Sequence, residues 1–144
     1  MEEFKLDLFF KEHGQQFPNY TTLVETDCRK IPSTLTHQLG LVNSDELTEE
    51  IVKRSDFILD VDANDGFVLS ALLEKVGCLP SDKVLVNWDR FEHIDEISLV
   101  TLDTYFDDIW FSSADDIDLI HSELRWVVSV RHDGTVSCLN FKGR

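Results

Sequence analysis

The hydrophobic positions change period several times along the chain, and each change marks an element. In "SLVTLDTYFDDIW" (98–110) Leu99, Leu102, Phe106 and Ile109 recur at steps of three, four and three, the spacing of one helix face. Asp107 and Asp108 point away from that stripe, and Asp103 lies on its flank. Residues 2–13 read as a helix with Phe4, Leu8 and Phe9 near one face and Gly14 as the stop. A helix is expected from about Asp45 to Arg54, with Asn43 or Ser44 as its N-cap. "DGFVLSALLEKVG" (65–77) predicts another, with Val68, Leu69, Leu72 and Val76 on one face and Gly77 as the cap. "FILDV" (57–61) fits strand or helix. "KVLVNW" (83–88) alternates as a strand with Val84, Val86 and Trp88 on one face. Thr21 to Thr26 reads as a strand inside a stretch, 15–43, that otherwise shows no clear period.

The end of the chain carries the strongest local pattern. "ELRWVVSVRHDGTVSCLNF" predicts a β-hairpin about Asp133-Gly134, taken as a two-residue primed turn. Counting outward pairs Val130 with Ser137, Val128 with Leu139 and Trp126 with Phe141 on one face. Arg131/Val136, Ser129/Cys138 and Val127/Asn140 fall on the other, so the Trp126 face is expected on the core and the second face to be more polar. The expected architecture is a single α+β domain, residues 1–144. Its antiparallel sheet would contain the hairpin (126–141) and pack against several helices.

Composition agrees with a folded domain: 42% of residues are hydrophobic and 28% charged. No apolar run approaches the ~20 residues that span a bilayer. "MEEFKLDLFF" lacks the basic region and cleavage site of a signal peptide, so a cytoplasmic location is expected. Cys28, Cys78 and Cys138 are too few and too scattered for a disulfide framework and are expected as reduced thiols in or near the core.

Charge changes the picture more. The net charge is −15, and it is concentrated. Residues 45–65 hold eight acids and two bases, a net −6, and residues 89–123 hold eleven acids and only Arg90, a net −10. Such a surface repels nucleic-acid phosphates and anionic membranes and attracts basic partners.

No catalytic signature accompanies the acids. There is no GxSxG, HExxH, phosphate-binding glycine loop or dinucleotide fingerprint, so neither catalytic residues nor a cofactor are assigned. "DVDANDG" (60–66) fails both registers of a calcium loop: counted from Asp60 the sixth and twelfth positions are Asp65 and Ala71, and counted back from Gly66 the first and third are Val61 and Ala63. It reads instead as an acidic turn in which Asn64 or Asp65 caps the next helix. The histidines show no metal-binding spacing, and no metal site is assigned. "YFDDIWFSSADDIDLI" (105–120) is more suggestive. Phe106 and Ile109 turn inward, Trp110 and Phe111 fall where the helix breaks, and Asp107, Asp108, Asp115, Asp116 and Asp118 surround them. Carboxylates around a partly exposed aromatic suit recognition of lysine or arginine. Asp60, Asp62 and Asp65 form a second candidate patch.

The stretch "YFDDIWFSSADDIDLIHSELRWVVSVRHDGTVSCL" resembles the ending of a group of small acidic bacterial proteins: an acidic-aromatic "DDIW", a small-residue turn, "DDI", and a hairpin of the form "WxxSxxHxG". The resemblance covers roughly the last forty residues. It implies an immunity protein, encoded beside a secreted polymorphic toxin. The expected function is therefore a non-enzymatic, acidic protein-binding module that neutralises a cationic toxin, nucleases included, with Asp107, Asp108, Trp110, Asp115, Asp116 and Asp118 as the contact surface. A metal-dependent enzyme using the aspartates around 103–118, and an acidic mimic of nucleic acid, are the alternatives.

Overall fold

A computed structural model describes residues 1–141. Its helices are α1 (Glu3–His13), α2 (Glu25–Gln38), α3 (Leu47–Arg54), α4 (Leu69–Val76) and α5 (Leu99–Ile109). Its strands are β1 (Thr21–Thr22), β2 (Asp56–Asp62), β3 (Lys83–Asp89), β4 (His93–Ser98), β5 (Ile117–His121), β6 (Trp126–Val130) and β7 (Thr135–Asn140). The strands form one sheet in the order β1-β4-β3-β5-β6-β7-β2, every pairing antiparallel. The fold is a single-domain α+β architecture. No helix among the described residues is long and apolar enough to cross a membrane.

Helices cover both faces of this sheet. On one, Val86, Leu119, Val128 and Cys138 lie in a row under α4 and α5, whose Leu69, Leu72, Leu102, Phe106 and Ile109 complete the cluster. On the other, Leu85, Ile120, Val127 and Leu139 lie under Cys28 and Leu35 of α2 and Leu47 and Ile51 of α3. Central strands covered twice read as apolar runs rather than alternations. All five residues of β6 are accordingly buried, so the second face of the hairpin, which does carry the more polar residues Ser129 and Ser137, is covered by helices rather than left to solvent.

The hairpin register also differs from the expected one. Trp126 opposes Asn140, Val127 Leu139, Val128 Cys138, Ser129 Ser137 and Val130 Val136, a slip of one residue. The loop has three residues, not two. The Gly134 amide donates to the Arg131 carbonyl (2.8 Å), Arg131 N donates to Thr135 O (2.9 Å), and Gly134 takes φ +93°, the arrangement of a turn closed by a glycine bulge. The slip moves Phe141 to the α2–α3 face, beside Leu139 and Val127.

Other elements refine the sequence pattern. The α1 core face is Lys5 and Phe9, both 1% exposed, while Phe4 and Leu8 are about half exposed. Thr21–Thr22 alone is strand, and α2 begins at Glu25. Asn43 is the cap: its Oδ1 accepts from Asp45 N (2.9 Å) at a 3-10 turn, Ser44–Glu46, that leads into α3. "FILDV" is strand. Val68 precedes α4 and is exposed, so that helix buries Leu69, Leu72 and Leu73. Gly77 ends it as expected, left-handed at φ +74°, with Cys78 N reaching Leu73 O (2.9 Å). β4 follows β3 through Arg90 and Phe91, both at positive φ, a primed turn without glycine or asparagine. Asn87 Oδ1 supports it by accepting from Phe91 N (2.8 Å).

Candidate functional site

The cation-recognition chemistry expected around residues 105–120 is present, but the chain supplies its own cation. Lys5 Nζ donates to Asp115 Oδ2 (2.6 Å) and to the Ile109 carbonyl at the end of α5 (2.5 Å). It lies 4.7 Å from the Trp88 ring centroid and 4.9 Å from that of Phe111. Position 5 shares a face with Phe9, so the helix that buries Phe9 carries this ammonium into the cage. Asp115 also accepts from Phe111 N (2.8 Å), and its carbonyl accepts from Trp110 Nε1 (3.0 Å). Trp110 is 4% exposed and stacks on Phe106. It is therefore core, not the partly exposed anchor expected.

The remaining aspartates of the first patch meet different fates. Asp118 is buried in the sheet, accepting from Ser129 Oγ (2.7 Å), Asn87 Nδ2 (3.1 Å) and Arg131 (3.3 Å). It belongs to a polar row across β3, β5, β6 and β7: Asn87, Asp118, Ser129, Ser137. Asp116 accepts from the His132 amide (2.7 Å) and lies 2.9 Å from its ring nitrogen. Partial burial works against its charge, yet these bonds hold its carboxyl below the usual range. Asp103 accepts from Ser70 N (3.2 Å) at the first turn of α4. Asp107 is exposed, and Asp108 sits 3.1 Å from His13 Nε2. Of the expected contact surface, Asp107 and Asp116 stay exposed, while Asp108 is half-buried against His13.

These partners bear on the metal-enzyme alternative, since nearly every aspartate from 103 to 118 is directed elsewhere. Asp108 does join Glu12 and His13 in a group whose ligand atoms lie within 4.8 Å of one another. Two of that trio come from α1, outside the segment the sequence nominated, and His13 had shown no partner at a sequence spacing.

The second patch is built differently. β2 is an edge strand. Asp56 and Phe57 oppose Cys138 and Ser137, but the next pair is Asp62 with Thr135. Ile58 to Val61 therefore face Val136 alone and arch off the ladder. Ile58 and Val61 pack on the core, while Leu59 is 96% exposed and Phe57 56%. The arch is pinned at its end. Asp62 Oδ1 accepts from Asn64 N (2.9 Å) and caps a 3-10 turn, Ala63–Asp65. Ala63 N then donates to Gly134 O (2.9 Å) and Asn64 Nδ2 to Asp133 O (3.2 Å), stitching the turn to the hairpin tip. So "DVDANDG" is a structural turn. Its cap is Asp62, and neither Asn64 nor Asp65 caps α4, whose first turn takes the Asp103 carboxylate instead.

An open groove of about 440 Å³ lies between β2 and α4. Val61, Phe67, Ala71 and Leu72 line it, with Leu59 and Val68 at its lip and Asp60, Asp62 and Asp65 among its carboxylates. Lys75 of α4 pairs with Asp60. That bond and the ammonium's charge hold the Asp60 carboxyl below its usual range. A second depression, about 230 Å³, shares Leu59, Val61 and Asp62 and is completed by Phe57 and the hairpin tip. Sequence reasoning named the acids here but missed Phe57 and Leu59, because "FILDV" does not show which positions leave the ladder.

No family model matches the chain, and searches of curated proteins and of solved structures return no match.

Proposed function

We propose that the protein is an acidic binding module, without catalysis of its own, that captures a basic protein partner, as an immunity protein captures a cationic toxin. The observation that carries this reading is the β2 edge. Large apolar side chains, Phe57, Leu59 and Val68, stand exposed there among Asp56, Asp60, Asp62 and Asp65. Exposed apolar groups rimmed by polar ones mark interaction surfaces, and an open sheet edge is a feature that proteins otherwise shield. Carboxylates at the rim steer a cation to the site and raise its association rate. The net charge of −15 extends that attraction over the whole molecule.

The test is affinity capture on the immobilised protein at low salt, followed by co-expression. The captured protein is expected to be basic and to elute as salt rises to about 0.5 M, where charges are screened within a few ångströms. Its toxicity on expression is expected to disappear when this chain is present. An acidic partner, or a basic one whose retention ignores salt, contradicts the reading.

A further inference from the structure

We propose that the groove between β2 and α4 seats an arginine side chain carried by a basic segment of the partner, displacing Lys75 from Asp60. This rests on the cationic-partner reading and says where and by what residue the partner is held.

Three features select that occupant. The groove has an apolar floor, Val61, Ala71 and Leu72, with carboxylates beside it, so it fits a side chain with an apolar stem and a charged head. Its charge is unbalanced: among the described residues lining it, Asp60, Asp62 and Asp65 stand with one ammonium, that of Lys75, which pairs with Asp60, while Asp62 accepts only from the neutral Asn64. A planar guanidinium has five donors and bridges two carboxylates at once, and it is more weakly hydrated than an ammonium, which favours a partly apolar seat. Finally, the resident cation is loosely held. Its side chain is 45% exposed and that of Asp60 72%, the regime in which ion pairs add little, so an incoming cation can replace it. A second copy of this chain is the other occupant for an apolar edge. Charge disfavours it, because it would set Asp60, Asp62 and Asp65 against an equally acidic surface.

The probe is a blocked hexapeptide containing one arginine, compared with its lysine and citrulline analogues in an amide chemical-shift titration at low salt. Saturable shifts are expected at Leu59–Asp62 and Ala71–Lys75. The arginine peptide is expected to bind about fivefold tighter than the lysine peptide, and the citrulline peptide not measurably. Asp60→Asn with Asp65→Asn should weaken binding about tenfold, whereas Lys75→Ala, which removes the competitor, should tighten it about twofold to threefold. Equal binding of all three peptides, or no tightening in Lys75→Ala, overturns the proposal. So does sedimentation that shows the free protein dimerising through β2. Salt-dependent shifts confined to Asp107 and Asp108 would sink the groove and leave the cationic-partner reading standing. No salt-dependent binding of any cationic peptide would sink both.

Discussion

The two acidic regions carry similar numbers of aspartates, five in residues 105–118 and four in residues 56–65, and use them differently. Around residues 105–118 the carboxylates are mostly tied to groups of the same chain: Asp115 to Lys5 and Asp118 to Arg131 and Ser129 below the surface, and the exposed Asp116 to His132. Around residues 56–65 the carboxylates stay at the surface, with one exposed lysine among them and apolar side chains beside them. A buried cation decides the difference. Lys5 is 1% exposed and fills the cage between Trp88 and Phe111 from within the chain. An acidic-aromatic sequence therefore specifies a cation site without specifying whose cation fills it.

This contrast can be broken most severely at Lys5. Lys5→Met removes the ammonium from a buried pair and leaves the Asp115 carboxylate and the Ile109 carbonyl without it. The expected loss is about 3 kcal/mol in urea denaturation. A loss near zero would mean that the cage does not hold α1 in place. Gly134→Ala should cost somewhat less, about 2 kcal/mol. The glycine sits at φ +93°, and an added Cβ would lie 2.1 Å from Asp62 Oδ1 and 2.4 Å from Asn64 Nδ2. Those atoms would have to leave the cap that shapes the β2 arch, so the same variant should also shift the amide resonances of residues 62–65.

A smaller effect is expected with pH. Burial holds His121 below its ordinary 6.5, and its Nδ1 accepts from Glu123 N (2.9 Å), which requires the unprotonated ring nitrogen. The unfolded chain thus takes up a proton more readily than the folded one. Stability is then fully present above pH 6.5 and is lost as pH falls through the lower folded-state value. His121→Asn should flatten that slope, and an unchanged slope would assign it elsewhere. The lowered carboxyls of Asp60, Asp116 and Asp133 contribute stability that is lost further into the acid range, as pH falls through and below the ordinary carboxyl values. The least perturbing changes are in the second region. Asp60→Asn and Lys75→Ala should leave the denaturation midpoint unmoved, because both side chains are exposed. A clear destabilisation by either would make the groove pair structural and remove the contrast.

Much of the architecture was legible. The stripe of α5 buries as its spacing implies, and Val84, Val86 and Trp88 share a face of β3. What failed did so for local reasons. α2 is polar on average, buries only Cys28, Leu35 and Thr36, and carries Pro32 inside it. β4 holds Asp95 and Glu96, poor strand formers. Asp95 is nonetheless buried, accepting from Trp88 Nε1 (2.8 Å) and Thr22 Oγ1 (2.7 Å) and pairing with the Met1 amine. The hairpin slipped because Asp-Gly suits both a two-residue loop and the last two places of a three-residue one. His132 decides between them, its amide tied to Asp116 and its carbonyl to Ser113 N (2.7 Å). At the candidate site, the acids were legible and their partners were not, since Lys5 lies 110 positions from Asp115.

The most direct test of the central claim compares two triple variants for affinity to the basic partner. Asp60→Asn, Asp62→Asn and Asp65→Asn together should weaken the complex about a hundredfold and flatten its salt dependence. Asp107→Asn, Asp108→Asn and Asp116→Asn together should change it by less than about threefold. If the second set abolishes binding while the first leaves it intact, the partner docks at the end of α5 and the β2 edge is not the binding surface.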